Sequence, residues 1–384
     1  MSNKWINKKT KFNYSIFFLT IAIALFGVFV ILSASANLTI KYNTSQSYYA
    51  IRQAMFMVAG AIIMYFVSFI DYKLYKKYAY ILWAISIVLL VMALVSPLKV
   101  LYNGYARRGL NLGITFMPSD VYKITSIMFI SKLLVKNQDK MDNFFRGFLE
   151  TAFFILAPTV LVVIQPDLST SIAIVATLGT IYLIGGFRKK FIPHLVAILI
   201  AAAILFALKG NPYQMDRIKG WLEPEKYTES ISWHIIHSLY AVARGGLLGV
   251  GYGKSVLKYG YLADEVYNDM IFAVIAEEFG FIGSLIFVLA VFALYFMIIR
   301  EALKSKDLFA KYSLVGIASI YLYQSIINIG VAINLIPNTG ITLPFISYGG
   351  TSMLIFFVMI GIVLNVSRHN NLEEKENNII IKKI

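Results

Sequence analysis

The chain has no cysteine, and only 14% of its 384 residues are charged. Without cysteine there is no disulfide framework, no thiol nucleophile and no thiolate metal site. A water-soluble protein carries about 25% charge and roughly 45–50% apolar residues. Here 59% of residues are apolar and the mean hydropathy is +0.71. These proportions exclude a soluble enzyme, a disordered chain and a coiled coil. Acidic residues are also scarce, 20 against 35 Lys and Arg, which leaves a formal charge of +15. That excess is not a nucleic-acid signature, because the basic residues form short clusters between apolar runs and no nucleic-acid motif accompanies them. Histidine is rare, and His234 and His237, in SerTrpHisIleIleHis, have no third ligand at suitable spacing. They read as part of an interfacial helix, and no metal site is expected.

What the chain has instead is long apolar runs. They lie near 12–36, 51–70, 79–97, 119–137, 147–165, 169–186, 191–208, 270–299, 312–336 and 351–367. Each is close to the roughly 20 residues that span a bilayer. The expected fold is an all-α integral membrane protein, a ten-transmembrane-helix bundle forming one domain over 1–384. The first run is too long for a signal-peptide core and reads as an uncleaved helix. Lys and Arg in short loops set the orientation. With the N-terminus inside, segments 1–11, 71–78, 132–146, 187–190, 300–311 and 368–384 hold 22 of the 35 basic residues. The tails 1–11 and 368–384 are then both cytoplasmic. On the outer side lie loops 37–50, 98–118 and 337–350, and the segment 209–269, expected as a large extracellular loop between helices 7 and 8. Loops of such length are usually functional or disordered. This one alternates aromatic, charged and apolar residues, so it reads as ordered, with re-entrant pieces lining a cavity.

Ionisable groups at membrane depth are costly and mark functional positions by default. Lys123 stands three residues after Asp120, on one helix face. The pair reads either as a structural ion pair or as a site for an anionic ligand. Arg107 and Arg108, just before this helix, read as headgroup anchors or as part of that site. Asp167 follows Pro166 and either caps the sixth helix or shapes the site. Glu277 and Glu278 cannot share one helix face, so at least one needs an internal partner, and a structural role is expected. Asp269 opens the eighth span, where it is either an N-cap or a partly desolvated base. GlyValGlyTyrGly at 249–253 follows no expected strand, so a nucleotide-loop reading fails and a re-entrant turn is expected.

Six segments in order resemble the SEDS family of membrane glycosyltransferases (FtsW, RodA, SpoVE). They are AlaArgArgGlyLeuAsnLeuGly at 106–113, MetProSerAsp at 117–120 with Lys123 in register, GlnProAspLeu at 165–168, the glycine-rich stretch 238–253, AspMetIlePheAla opening 269–283, and LeuProPheIleSerTyrGlyGlyThrSer at 343–352. The likeness covers nearly the whole chain and leans to the FtsW and SpoVE side. It implies polymerisation of lipid II into glycan strands by inverting transfer, at the division septum, in the bacterial inner membrane. The alternatives are a RodA-type elongation polymerase or a lipid II flippase. It implies Asp269 as general base, with Arg107, Arg108, Asp120, Lys123, Asp167, Ser347 and Tyr348 as substrate-binding residues. The partners implied are lipid II, a class B penicillin-binding transpeptidase and other divisome or elongasome membrane proteins. A divalent cation, Mg or Mn, could assist the pyrophosphate. The sequence departs from the family pattern at Gly109, Asp120, Ser169 and in 263–268, beside the expected base.

Overall fold

The computed structural model of the chain describes residues 12–36, 45, 47–96, 99–102, 106–111, 115–209, 212–228, 231–256, 258–259, 266–338 and 340–381. The N-terminal tail 1–11 and part of 263–268 lie outside the described residues. Within them the chain is predominantly helical. In order come α1 (Tyr14–Ala34), α2 (Tyr48–Val67), α3 (Tyr72–Val95), α4 (Pro118–Lys136), α5 (Glu150–Ile164), α6 (Leu168–Ile184), α7 (Ile192–Lys209), α8 (Pro212–Leu222), α9 (Trp233–Gly245), α10 (Ile271–Lys304), α11 (Leu308–Ala332) and α12 (Gly350–Ile381). All but α8 and α9 fall on the apolar runs. Among the described residues, seven helices are long and apolar enough to cross a membrane: α1, α2, α3, α5 with the π-turn that precedes it, α10, α11 and α12. α6 is apolar but shorter, at 17 residues.

Polar sequence marks the inner helices. α4 carries Ser119, Asp120, Lys123, Ser126 and Ser131 and still buries all five, because α3, α6 and α11 enclose it. α11 and α12 are also largely buried, whereas α2 and α3 turn most of their surface outward. α1 bridges α2 and α10, and α12 packs on α2. An apolar helix surface facing outward is what lipid requires, and polar groups are tolerated where protein surrounds them.

Two expectations are corrected. Loop 98–118 is not irregular, and the chain is not wholly α. It holds a three-stranded antiparallel sheet of β1 (Lys99–Tyr102), β2 (Ala106–Asn111) and β3 (Thr115–Phe116). Strands of two to six residues leave almost no alternation to read. Helix ends also run past the apolar runs. Lys73, Lys76 and Lys77 lie in the first turns of α3, which Asp71 caps by accepting from Lys73 N at 2.9 Å. Long lysine stems can follow an apolar surface while the ammonium reaches water, so charge alone does not end a helix.

In its described residues the connection 209–269 carries α8 and α9, and its glycine-rich part packs into α10. α10 breaks at Gly280 (φ 66°, ψ −167°). Gly280 lies about ten residues into α10, roughly 14 Å along its axis at 1.5 Å per residue. The glycine-rich segment after α9 fills the break. Val250 N donates to Glu277 O (3.0 Å) and Gly251 N to Glu278 O (3.1 Å). In return Phe281 N donates to Gly246 O (2.8 Å) and Ile282 N to Leu247 O (3.1 Å). The backbones touch so closely that a Cβ on Gly249 would stand 2.2 Å from Glu278 O. Both carboxylates of the break are held. Glu278 accepts from Lys258 Nζ (3.0 Å) and Ser33 Oγ (2.6 Å), and Glu277 from Arg244 Nη1 (2.5 Å) and Val256 N (3.1 Å). Their structural role is therefore explicit, and the GlyValGlyTyrGly turn is a helix-break partner.

Candidate functional site

The sheet, α8, the turn 266–270 and the segment 334–350 gather at one end of the bundle. Four hydrogen bonds staple 267–269 to 341–348. Asn328, on α11, donates to Asp269 O (3.0 Å) and Ile341 O (2.8 Å). Ser347 Oγ donates to Asn268 O (2.6 Å), and Tyr348 N to Tyr267 O (2.9 Å). Ser347 Oγ also accepts from Leu343 N at 2.7 Å. From the other side, Gln53 on α2 donates to Ser347 O at 3.1 Å. Ser347 and the Tyr348 backbone thus hold the loop that presents Asp269. Burial pushes the Tyr348 phenol up from its ordinary pKa.

Asp269 is half-buried and does not cap α10, whose N-cap is Met270. Its carboxylate stands among guanidinium groups. A Cβ at Gly340 (φ 69°) would lie 3.2 Å from Asp269 Oδ2, 3.7 Å from Arg108 Nη1 and 3.7 Å from Arg217 Nη1. One point on the 338–342 segment is therefore ringed by three charged side chains from three distant parts of the chain. β2 carries Arg108, whose Nη2 donates to Pro166 O. Its Nε is buried with no acceptor among the described residues. α8 carries Arg217, which donates to Asn338 O at 3.2 Å. α8 is itself fixed by Trp221 Nε1 donating to Asn334 O (3.0 Å) and Ser232 Oγ donating to Gly220 O (2.9 Å).

The other expected residues lie close by. Asp167 caps α6, accepting from Thr170 N at 3.3 Å, directly after the Pro166 carbonyl that receives Arg108. Lys123 and Asp120 form a buried ion pair at 2.9 Å. Lys123 also donates to Gln324 Oε1 (3.1 Å), and Gln324 Nε2 donates to Thr342 O (2.9 Å). The pair therefore braces the segment next to Gly340. Arg107 pairs with Leu101 in the sheet, and its side chain lies outside the described residues. His237 packs against Trp233 (4.0 Å between ring centroids, 38° between planes) and bonds its carbonyl. Among the described residues no three His, Cys, Asp or Glu side chains stand together as metal ligands.

Arg217 is the residue that sequence reasoning missed. Its context, MetAspArgIleLysGly, looks like an exposed helix face. The only signal was its place inside the long connection 209–269.

The fold defines the class: a multi-pass helical membrane protein with a charged site at one end of the bundle. A family model described as cell cycle protein, FtsW/RodA/SpoVE, matches residues 13–372. The chain belongs to this family. It is 35% identical to the stage V sporulation protein E of Bacillus subtilis over 94% of this chain and 99% of that protein. It is 32% identical to a probable peptidoglycan glycosyltransferase FtsW of Trichlorobacter lovleyi over 91% of each chain. Among solved structures, it resembles a chain from a peptidoglycan synthase complex studied for its coordination of polymerization and crosslinking, with a TM-score of 0.77, 24% identity and 95% and 99% coverage. The crystal structure of the rod shape determining protein RodA of Thermus thermophilus matches with a TM-score of 0.69, 23% identity and 96% and 99% coverage.

Proposed function

We propose that this chain is a peptidoglycan glycosyltransferase that polymerises lipid II at the outer face of the bacterial inner membrane. The observation that carries the reading is the convergence of Asp269, Arg108 and Arg217 on Gly340. The reaction needs a base for a sugar hydroxyl and cations for a leaving pyrophosphate, side by side. Asp269 takes the proton of the acceptor's 4-hydroxyl as that oxygen attacks the donor's anomeric carbon. The carbon–oxygen bond to the pyrophosphate breaks, and the pyrophosphate leaves with the electron pair. One in-line displacement inverts the centre, so one base suffices. Arg108 and Arg217 stabilise the departing charge by charge-assisted hydrogen bonds. Asp167, Asp120 and Lys123 keep these groups in place. An apolar groove of about 390 Å³ between α9, α10 and α11, lined by Val242, Phe272, Ala276 and Leu285, begins one turn below Asp269 and suits a polyprenyl chain. A divalent cation would enter on the substrate's pyrophosphate.

The same reading places ten spans in the membrane, both termini in the cytoplasm and 209–269 outside. It assigns the chain to septal synthesis beside a class B penicillin-binding transpeptidase. The family model's description as a cell cycle protein supports the division role. The deciding experiment is purified protein with lipid II. Glycan polymer is expected from wild type and none from Asp269→Asn at equal folding and lipid II binding. Normal polymer from Asp269→Asn would sink the assignment, and lipid II movement without polymer would favour a flippase.

A further inference from the structure

The end of the bundle away from Asp269 carries a guanidinium that the chain only partly uses. Arg368 stands about 18 residues into α12, roughly 27 Å along its axis from Gly350. That distance is close to the thickness of a bilayer's apolar core. Its setting is fixed by the packing of α12 on α2. A Cβ at Gly361 would stand 2.7 Å from Val67 Cβ. One turn later Asn365 Nδ2 donates to Ser68 O and Asn365 Oδ1 accepts from Tyr72 N, both at 2.9 Å, so α12 grips the α2–α3 turn. Arg368 donates to the same Ser68 O at 3.4 Å and lies over the Phe69 ring, 4.3 Å from its centroid. Among the described residues it makes no other hydrogen bond and no ion pair. A guanidinium has five N–H donors, so most stay open on this half-buried side chain. Other cations at this end already have their acids: Lys76 with Asp307 at 3.2 Å and Lys304 with Glu301 at 3.5 Å. Asp71, the acid of the turn, caps α3 and faces His369 Nε2 at 3.8 Å.

Around Arg368 the surface is aromatic and turned outward. Tyr14 and Phe18 on α1, and Ile62, Tyr65 and Phe66 on α2, are all exposed. Tyr65 packs edge-on against Phe69, 5.0 Å between centroids, and Tyr65 and Tyr14 stand within electrostatic reach of the guanidinium. Aromatic residues at a membrane boundary are ordinary. A guanidinium fixed among them, short of water and with open donors, is matched by a phosphate, which takes the planar fork with two oxygens. We propose that this junction of α1, α2 and α12 binds an anionic glycerophospholipid of the leaflet opposite Asp269. The phosphodiester sits on Arg368, beside Tyr65 and Tyr14, and the acyl chains lie along Phe18, Ile62 and Phe66. A zwitterionic headgroup fits less well, because it brings a second cation to a place that already holds one. Basic pockets between spans are a recurring form of lipid-headgroup site. The site stands apart from the chemistry at Asp269 and does not depend on it.

The probe is palmitoyl-oleoyl phosphatidylglycerol, added to full-length protein purified free of lipid in detergent and counted by native mass spectrometry. One saturable lipid is expected above the background given by palmitoyl-oleoyl phosphatidylcholine. Arg368→Gln should weaken it about tenfold, the loss of a hydrogen bond to a charged group. Arg368→Lys should recover only part, because an ammonium lacks the fork. Phe69→Leu should weaken it about threefold through the lost ring face. Phe69 is exposed, so this variant keeps the fold and tests the site even if Arg368→Gln unfolds. Lys77→Gln, which removes an exposed cation from α3, should leave binding unchanged. Equal losses in Lys77→Gln and Arg368→Gln would mean diffuse attraction to a basic surface and overturn the site. So would full binding in Arg368→Gln or Phe69→Leu, equal binding of the zwitterionic lipid, or displacement of the lipid by inorganic phosphate.

Discussion

Gly340 lets the geometry of the site be tested by a single methyl group. Gly340→Ala adds a Cβ at φ 69°, 3.2 Å from Asp269 Oδ2 and 3.7 Å from each of two arginine nitrogens. The left-handed backbone costs an alanine about 1–2 kcal/mol. The 3.2 Å contact is tighter than ordinary van der Waals distance, so the carboxylate must move by a few tenths of an ångström. Catalytic groups tolerate such shifts poorly, and misplacement of about 1 Å can cost about 10²-fold. The expected loss in polymerisation rate is therefore about 10–100-fold. The control is Gly253→Ala, which has the same strain (φ 77°) but no atom within 4 Å of the new Cβ. Both variants should show a similar, small fall in thermal midpoint in detergent, and only Gly340→Ala should lose rate on lipid II. A Gly340→Ala enzyme with full rate, or equal rate losses in both, refutes the placement of Asp269 and the arginines around this point.

Arg217→Gln should lower the polymerisation rate by about 10²-fold, the usual cost of one preorganised donor to a developing charge. Arg217→Lys should recover part of it, and an unchanged Arg217→Gln would show that α8 plays no part. Lys258→Met should destabilise the fold by about 3–5 kcal/mol, because it strands Glu278 at 2% exposure. The double change with Glu278→Leu should restore much of that in chemical unfolding, and equal loss in single and double variants would contradict the pairing. Asn328→Leu removes two bonds to the Asp269 and Ile341 carbonyls. It should cost about 1–3 kcal/mol and lower kcat more than it raises KM for lipid II. A pure KM effect would mean that Asn328 does not position Asp269.

How much the sequence disclosed depended on the range of the interaction. Local features were legible. The three-residue spacing of Asp120 and Lys123 gave the ion pair, Pro166 before Asp167 gave the cap of α6, and the neighbouring Glu277 and Glu278 required partners that the structure supplies. Apolar runs located the helices to within a few residues, except where α3 begins before its run and α12 continues well past its own. Long-range features were not legible. Nothing near Arg217 indicates that 52 residues later lies the carboxylate it accompanies. The sheet was hidden because its strands are short, and the break at Gly280 was hidden because AlaGluGluPheGlyPheIleGly reads as unbroken helix. Its partner, the glycine-rich stretch, lies some 30 residues upstream.

The charges also sort by whether the protein already satisfies them. A charge in a low-dielectric interior is tolerable only when paired or hydrogen-bonded. Lys258 with Glu278, Arg244 with Glu277 and Lys123 with Asp120 meet that demand inside the chain, and each joins elements that the fold must hold together. Among the described residues, Arg108 keeps a buried Nε without an acceptor, and Asp120 keeps a second oxygen without a donor. Among the same residues Glu278 Oε2 is also buried without a partner, so an open carboxylate oxygen does not by itself mark a site. Net charge says little about the chemistry. The convergence of Asp269, Arg108 and Arg217 on Gly340 is what the proposed transfer reaction rests on.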